Sequence, residues 1–165
     1  MPGRSYNSNY GGRLVDLEVL TGIEKPDLEH ELALTPVRNH AGRAVTGMQK
    51  LAQRYVITLL SSVDKTYGEP GYGTLFWESV VRGILRSASA ASSLFNYSNV
   101  LAVNQLIAED ALYPDTPEDE RIESARLLDI HVDKNAASTA FVVDLVSRAG
   151  EHYVYKVPVS MVGVI

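Results

Sequence analysis

The chain has 165 residues and 45% hydrophobic content, with 15 Lys plus Arg against 20 Asp plus Glu for a net charge of −5. This is the composition of one globular domain that buries roughly 70% of its unfolded surface, and an acidic chain without a basic stripe is not built to hold nucleic acid by its phosphates. There is no cysteine, so disulfides, thiolate nucleophiles and Cys-based metal sites are excluded.

No apolar run reaches the ~20 residues of a membrane helix, and the N-terminus lacks a signal-peptide core. Synthesis and folding in a cytoplasm are expected. Residues 1–12, rich in Gly, Ser and Asn, read as a flexible arm that Tyr6 and Tyr10 could anchor on a neighbour. Residues 13–20 carry Leu14, Val15, Leu17, Val19 and Leu20 and suit a strand. Pro26 and Pro36 keep the following stretch irregular or extended. Residues 1–40 are thus expected as an extended arm and 41–165 as the folded domain.

The first helix is predicted over 43–61. Val45, Met48, Leu51, Ala52, Tyr55, Val56 and Leu59 share one stripe, with Lys50, Gln53 and Arg54 off it, which is a core-facing pattern. Residues 65–74 hold three Gly, one Pro and two Tyr and predict a structured loop. They lack the Gly-Lys-Ser/Thr ending of a phosphate loop. A second helix is predicted over 75–87 with Trp77, Val80, Val81, Ile84 and Leu85 as its stripe, weakened at Gly83 by roughly 1 kcal/mol relative to Ala. The Ser/Ala run 87–93 either continues that helix or breaks it. A third helix over 98–112 is predicted to turn Leu101, Val103, Leu106 and Ile107 inward and Gln105, Glu109 and Asp110 outward, stopped by Pro114 and Pro117.

A charged turn at 117–122 leads into three strands, 125–133, 138–147 and 151–159, whose side chains alternate. In the first, Leu128, Ile130 and Val132 are expected on one face. Gly150 at the left-handed position of a three-residue loop would oppose Ser147 and Glu151. Leu145 then faces Tyr153, Val143 faces Tyr155, and Phe141 faces Val157, all apolar pairs on one side. The other side carries Val142, Asp144, Val146, His152, Val154 and Lys156. Asp144 and Lys156 stand within diagonal ion-pair reach, and the valines suit cover by the N-terminal segment or a partner. Helices followed by an antiparallel meander predict an α+β fold with the helices on one sheet face and extended segments at both ends. The apolar tail can extend its own sheet or a neighbour's, with Val157, Val159, Met161 and Val162 as the augmenting edge.

No catalytic constellation, metal site or cofactor is expected. His30, His40, His131 and His152 lack metal-ligand spacing and read as surface residues, and no Gly-x-Ser-x-Gly elbow is present. A glycosidase-like carboxylate pair could draw on Glu69 and Glu78, or on Glu118 or Glu120, beside Tyr67, Tyr72 and Trp77. Carboxylates at such turns and helix starts more often serve as caps or ion pairs.

From Leu59 to Val159 the order of features resembles the baseplate wedge and sheath-initiator family of contractile phage tails and related injection machines. The matching residues are Leu59-Leu60-Ser61 at a helix end, Tyr72-Gly73-Thr74-Leu75 at the next helix start, and Asp119-Glu120-Arg121-Ile122 before the meander. Glu120 stands where the family has proline and Asp119 where it has glutamate. Either acid could serve, and Arg121 carries over cleanly. The segment 87–105 is longer than in family members. The resemblance implies a non-enzymatic structural role in the virion, assembled in the host cytoplasm: a wedge component that joins other wedge subunits, tail sheath and tail tube, and nucleates the first sheath ring. Neither nucleic acid nor membrane is implied as a partner. For Arg121 two uses present themselves, an internal brace onto a glutamate or helix-end carbonyls and a contact to a wedge partner.

Overall fold

Helix α1 (Gly47–Leu60) forms where the apolar stripe is strongest, and Leu51, Ala52, Tyr55, Val56 and Leu59 are buried along it. It begins four residues later than predicted in a computed structural model that describes residues 16–17, 20–21, 33–34, 44–63, 71–83, 87–133 and 138–160. The residues before it are taken up in pairing: β4 (Ala44–Val45) lies antiparallel to β1 (Asp16–Leu17). Two further short strands, β2 (Leu20–Thr21) and β3 (Ala33–Leu34), pair with each other. The arm 1–12, His30, His40, Tyr67, Glu69, Ile84, Leu85, Met161 and Val162 lie outside the described residues.

Helix α2 (Phe76–Val81) is shorter than predicted. Gly83, at φ +71, is its stop signal rather than a weak interior position, with the Gly83 N–H donating to the Val80 carbonyl. A left-handed residue just past a helix end is the usual place for glycine. The short helix turns Phe76 and Val80 inward and leaves Trp77 and Val81 exposed, so the predicted stripe is shifted. Helix α3 (Ala88–Leu112) is longer than predicted, because the Ser/Ala run forms its first turns. The Ser87 side chain caps it by accepting from the Ala90 N–H at 3.1 Å. Leu106 points inward as expected, but Ile107 is exposed and Asp110 is buried.

After a 3-10 turn (Glu118–Glu120) come β5 (Ile122–Asp133), β6 (Ser138–Ser147) and β7 (His152–Ser160), one antiparallel sheet in the order β5-β6-β7. The fold is α+β. The three helices cover one sheet face through a single core, centred on Phe76, Phe95 and Phe141 with ring centroids 5.2–6.0 Å apart.

The β6–β7 register is the predicted one, Leu145 opposite Tyr153, Val143 opposite Tyr155 and Phe141 opposite Val157, with Gly150 at φ +79 in the turn. Strand β5 departs from strict alternation. Register shifts fall between Ile122 and Ser124 and between Leu127 and Asp129. Each bulge inserts one residue and flips the phase of the residues after it. Leu127 and Ile130 therefore pack on the core, while Leu128, expected to share a face with Ile130, is 54% exposed. On the far sheet face Val142, Val146 and Asp144 are buried. Asp144 is met by His152 Nδ1 at 3.1 Å and by the Arg126 guanidinium at 3.4 Å.

The two sheet edges are finished differently. Hydrogen-bonded and open pairs alternate along an antiparallel ladder, so counting from the Ser147 N–H to Glu151 carbonyl bond assigns each group a direction. Odd residues of β6 bond to β7 and even ones to β5. The outward groups of β5 then include those of Ala125 and Ile130. The Asn99 side chain on α3 donates to the Ala125 carbonyl at 2.8 Å, and the Ile130 N–H donates to Asp129 at 2.8 Å. On β7 the outer row includes His152 and Val154, and Pro158, opposite Ala140, has no N–H to offer there. Among the described residues no strand pairs with the outer edge of β7.

Three tyrosines sit in the helix–sheet core. Tyr55 donates to Asn99 at 2.6 Å, while the buried hydroxyls of Tyr153 and Tyr155 have no partner among the described residues. Burial raises all three phenols, Tyr153 to about 12 from an ordinary 10.0. Below pH 10 both folded and unfolded chains keep these protons. Above it the unfolded chain releases them first, so stability declines from pH 10 through about 12. The melting temperature is expected to drop over that window, and to drop less in Tyr155→Phe. At neutral pH Tyr155→Phe should match wild type or gain about 1 kcal/mol in urea unfolding, since it deletes an unpaired buried hydroxyl.

Candidate functional site

Helix α1 is held at both ends by the segments that stand out in the sequence. Its N-cap residue, Thr46, makes no side-chain cap. The cap comes from 73 residues away: the Gly47 N–H donates to Glu120 Oε1 at 3.0 Å. Lys50 Nζ closes on Glu120 Oε2 at 2.8 Å, and the glutamate side chain is only 1% exposed. A carboxylate at a helix N-terminus is favoured by the unpaired N–H groups and the helix dipole.

One turn on, Arg54 NH1 donates to the Glu120 carbonyl at 2.9 Å and NH2 to Asp110 Oδ1 at 2.8 Å, with Glu109 at 3.2 Å. Asp110 Oδ2 accepts from the Ile122 N–H at 3.1 Å. Burial by itself lowers the Arg54 guanidinium, but Asp110 and Glu109 outweigh it and raise it above its ordinary value. One polar network thus ties the start of α1, the end of α3, the 3-10 turn and the first residue of β5. Of the two candidate acids, Glu120 occupies the buried position and Asp119 is half-buried beside it.

Arg121 points the other way. Its guanidinium meets Glu118 at 3.0 Å and the carbonyls of Tyr113 (3.1 Å) and Pro114. It is therefore an internal brace that uses both a carboxylate and helix-end carbonyls. The arginine side chain is 11% exposed and Glu118 56%, so one end of the ion pair stands in water and is screened. Beside it an open groove of about 480 Å³ is lined by Ile107, Asp110, Ile122, Glu123 and Arg148.

At the other end of α1, Thr74 closes the helix. Its N–H donates to the Ser61 carbonyl at 2.7 Å, and its hydroxyl donates to the Leu59 carbonyl at 2.6 Å while accepting from the Phe76 N–H at 3.0 Å. Tyr72 and Thr58 share a hydroxyl hydrogen bond of 2.8 Å. Gly73 lies at φ +99, where a Cβ would stand 2.5 Å from the Ser61 carbonyl oxygen. Only glycine fits that backbone. Gln105 of α3 fastens the loop, accepting from the Gly73 N–H at 2.9 Å and donating to the carbonyls of Gly73 (2.9 Å) and Gly71 (3.2 Å).

The carboxylates considered for glycan chemistry are placed differently. Glu120 is enclosed by its partners, Glu118 pairs with Arg121 and Arg148, and Glu78 lies 3.7 Å from Arg82 on α2. Trp77 is exposed. His131 and His152 are exposed strand residues paired with Asp129 and Asp144. Among the described residues no cluster of metal-ligating side chains occurs, and no helix is long and apolar enough to cross a membrane. Of the augmentation residues, Val157 and Val159 are buried in the core, facing the helices.

Periodicity missed Arg54, Gln105 and Asp110, and Gln53, which is buried and donates to Asp16 at 3.4 Å, because polar residues off an apolar stripe read as solvent-facing. A signal was present. Lys50 and Arg54 stand one turn apart on α1, and the acidic runs at 109–110 and 118–120 supply the charges to meet them.

Glu120→Ala strands Lys50 and the α1 N-terminus, and should cost about 3–5 kcal/mol in urea unfolding. Arg121→Ala should cost less, about 1–3 kcal/mol, because its ion pair is open to water. Gly73→Ala should cost about 1–3 kcal/mol for its backbone conformation alone, and more as the Ser61 carbonyl is displaced. Equal losses for Glu120→Ala and Arg121→Ala would contradict this ordering. Comparison of the chain with family models, curated proteins and solved structures finds no match.

Proposed function

We propose that the chain is a structural wedge component of a contractile-tail baseplate, working by assembly and without catalysis. The observation that carries this reading is the convergence of two motif segments on the helix whose end is the third. The Tyr72–Thr74 start and the Asp119–Arg121 turn were singled out with the helix end Leu59–Ser61 by their order in the sequence, and they close the two ends of that one helix. A residue set committed to rigidity suits a scaffold whose task is to present a fixed surface. The buried acid occupies Glu120, where the resembled pattern has proline. The arginine keeps the same turn.

A second feature supports the reading. With the β5 edge finished by Asn99 and Asp129, the outer edge of β7 is the side on which a strand from sheath can be added, main chain to main chain. Such an edge gives affinity through the backbone and so suits nucleation of a repeating lattice. The place of the protein is then the tail baseplate of the virion, after assembly in the host cytoplasm. Its partners are the other wedge subunits, sheath and tube, with no nucleic acid or membrane involved.

Val154→Pro tests this directly. Val154 occupies a position in β7 without hydrogen bonds to β6, so proline there deletes an outward N–H and leaves the sheet's own ladder in place. Purified wild-type chain should shorten the lag of sheath polymerisation, using sheath protein of the same particle, and Val154→Pro should reduce that effect about tenfold, the equivalent of one lost hydrogen bond. Melting temperature should barely change. A variant that nucleates as well as wild type removes the β7 edge from the mechanism. A wild-type chain that neither binds nor nucleates sheath, or that releases sugar from peptidoglycan, removes the assembly reading.

A further inference from the structure

Helix α3 carries apolar residues on two opposite sides, and only one of those sides is explained by the core. Phe95, Ser98, Ala102 and Leu106 face inward and are fully or almost fully buried. On the opposite side Ser93, Tyr97, Val100, Asn104, Ile107 and Ala111 are all exposed. Their spacing alternates four, three, four, three, four, which is the a/d repeat of a coiled-coil seam with one asparagine at an a position. Tyr97, Val100 and Ile107 are 58%, 56% and 46% exposed, far more than such residues show on a helix whose apolar faces are all covered.

We infer that this stripe is a self-association surface: α3 pairs antiparallel with α3 of a second copy of the chain, about a two-fold axis level with Ala102. Charge selects the occupant. Between Ala88 and Ala108 the helix carries no charged residue, so a charged helix from another protein gains no partner there. Two acidic copies, each at −5, repel least along this neutral strip. Side-chain sizes match the same arrangement. About that axis Tyr97 opposes Ile107 of the second copy, Val100 opposes Asn104, and the small Ser93 and Ala111 close the seam at each end. The two Asn104 side chains come about 6 Å apart along the seam, and a polar a position penalises other registers.

The parallel alternative is the poorer one. It puts β-branched Val100 and Ile107 at d positions, which two-stranded parallel coils disfavour. It also stacks Tyr97 on its own copy and aligns the dipoles of the two helices. The seam spans about 28 Å, short of a standard interface, so the pairing is of the weak, concentration-dependent class. It uses a different surface from the β7 edge and stands whether or not the assembly reading does.

The cysteine-free chain makes the test clean. Single variants Val100→Cys and Asn104→Cys are oxidised at about 100 µM, a concentration chosen for a weak dimer, alone and as a mixture. The mixture should form disulfide dimers about tenfold faster than either variant alone, a ratio that one layer of register sets. In sedimentation velocity, wild type should show a mass that rises with concentration. Val100→Glu/Ile107→Glu should stay monomeric with an unchanged melting temperature, since both side chains are exposed. Asn104→Cys cross-linking to itself as fast as the mixture overturns the antiparallel pairing. A wild-type chain that is monomeric throughout, or a double variant that still dimerises, overturns the surface.

Discussion

Burying a carboxylate is costly unless its oxygens are fully occupied and a cation stands beside it. Glu120 meets both conditions at once: Gly47 N–H on one oxygen, Lys50 on the other, and Arg54 on the carbonyl of the same residue. The arrangement constrains more than one contact. Helix α1 has no cap of its own, so its start depends on the 3-10 turn arriving at the right place. The turn in turn depends on α3 ending where Asp110 can reach both Arg54 and Ile122. Four elements separated by up to 73 residues are thereby placed by one set of charges.

The far end of α1 is governed by sterics instead. Gly73 passes so close to the Ser61 carbonyl that no side chain is tolerated, and Thr74 uses its backbone and hydroxyl to satisfy the last carbonyls of the helix. Gln105 then ties that loop to α3. A helix closed at both ends by distant segments is a fixed strut, and α2 and the aromatic core are hung from it.

The molecule treats its two sheet edges unequally. The β5 edge is blunted by Asn99, by Asp129 and by two bulges, whereas among the described residues β7 is interrupted by Pro158. Bulges and prolines are the usual means of stopping unwanted strand addition. Among the described residues their heavy use falls on the β5 edge. Helix α3 shows the same asymmetry across its width, with one face packed on the core and the other uncharged and in water.

Side-chain alternation and the Gly150 turn determined the β6–β7 register to the residue, because a slip of one place would turn the four apolar side chains of β7, Tyr153, Tyr155, Val157 and Val159, out of the core. The stripe on α1 was likewise legible, as was the α+β order of elements. Three things were not. The Ser/Ala run before α3 carries almost no periodic signal, and its helicity came from the Ser87 cap and from Ala91 and Phe95 finding the core. Leu128 looked like a core residue because alternation is local, while the bulge that expels it is set by how β5 must pair with β6. Arg54, Gln105 and Asp110 looked like solvent-facing residues because their partners lie 12 to 66 residues away. The sequence by itself states which residues are apolar and how they repeat. Which polar groups are desolvated together is decided only when distant segments are brought into contact, and that is where the clamp around α1 was made.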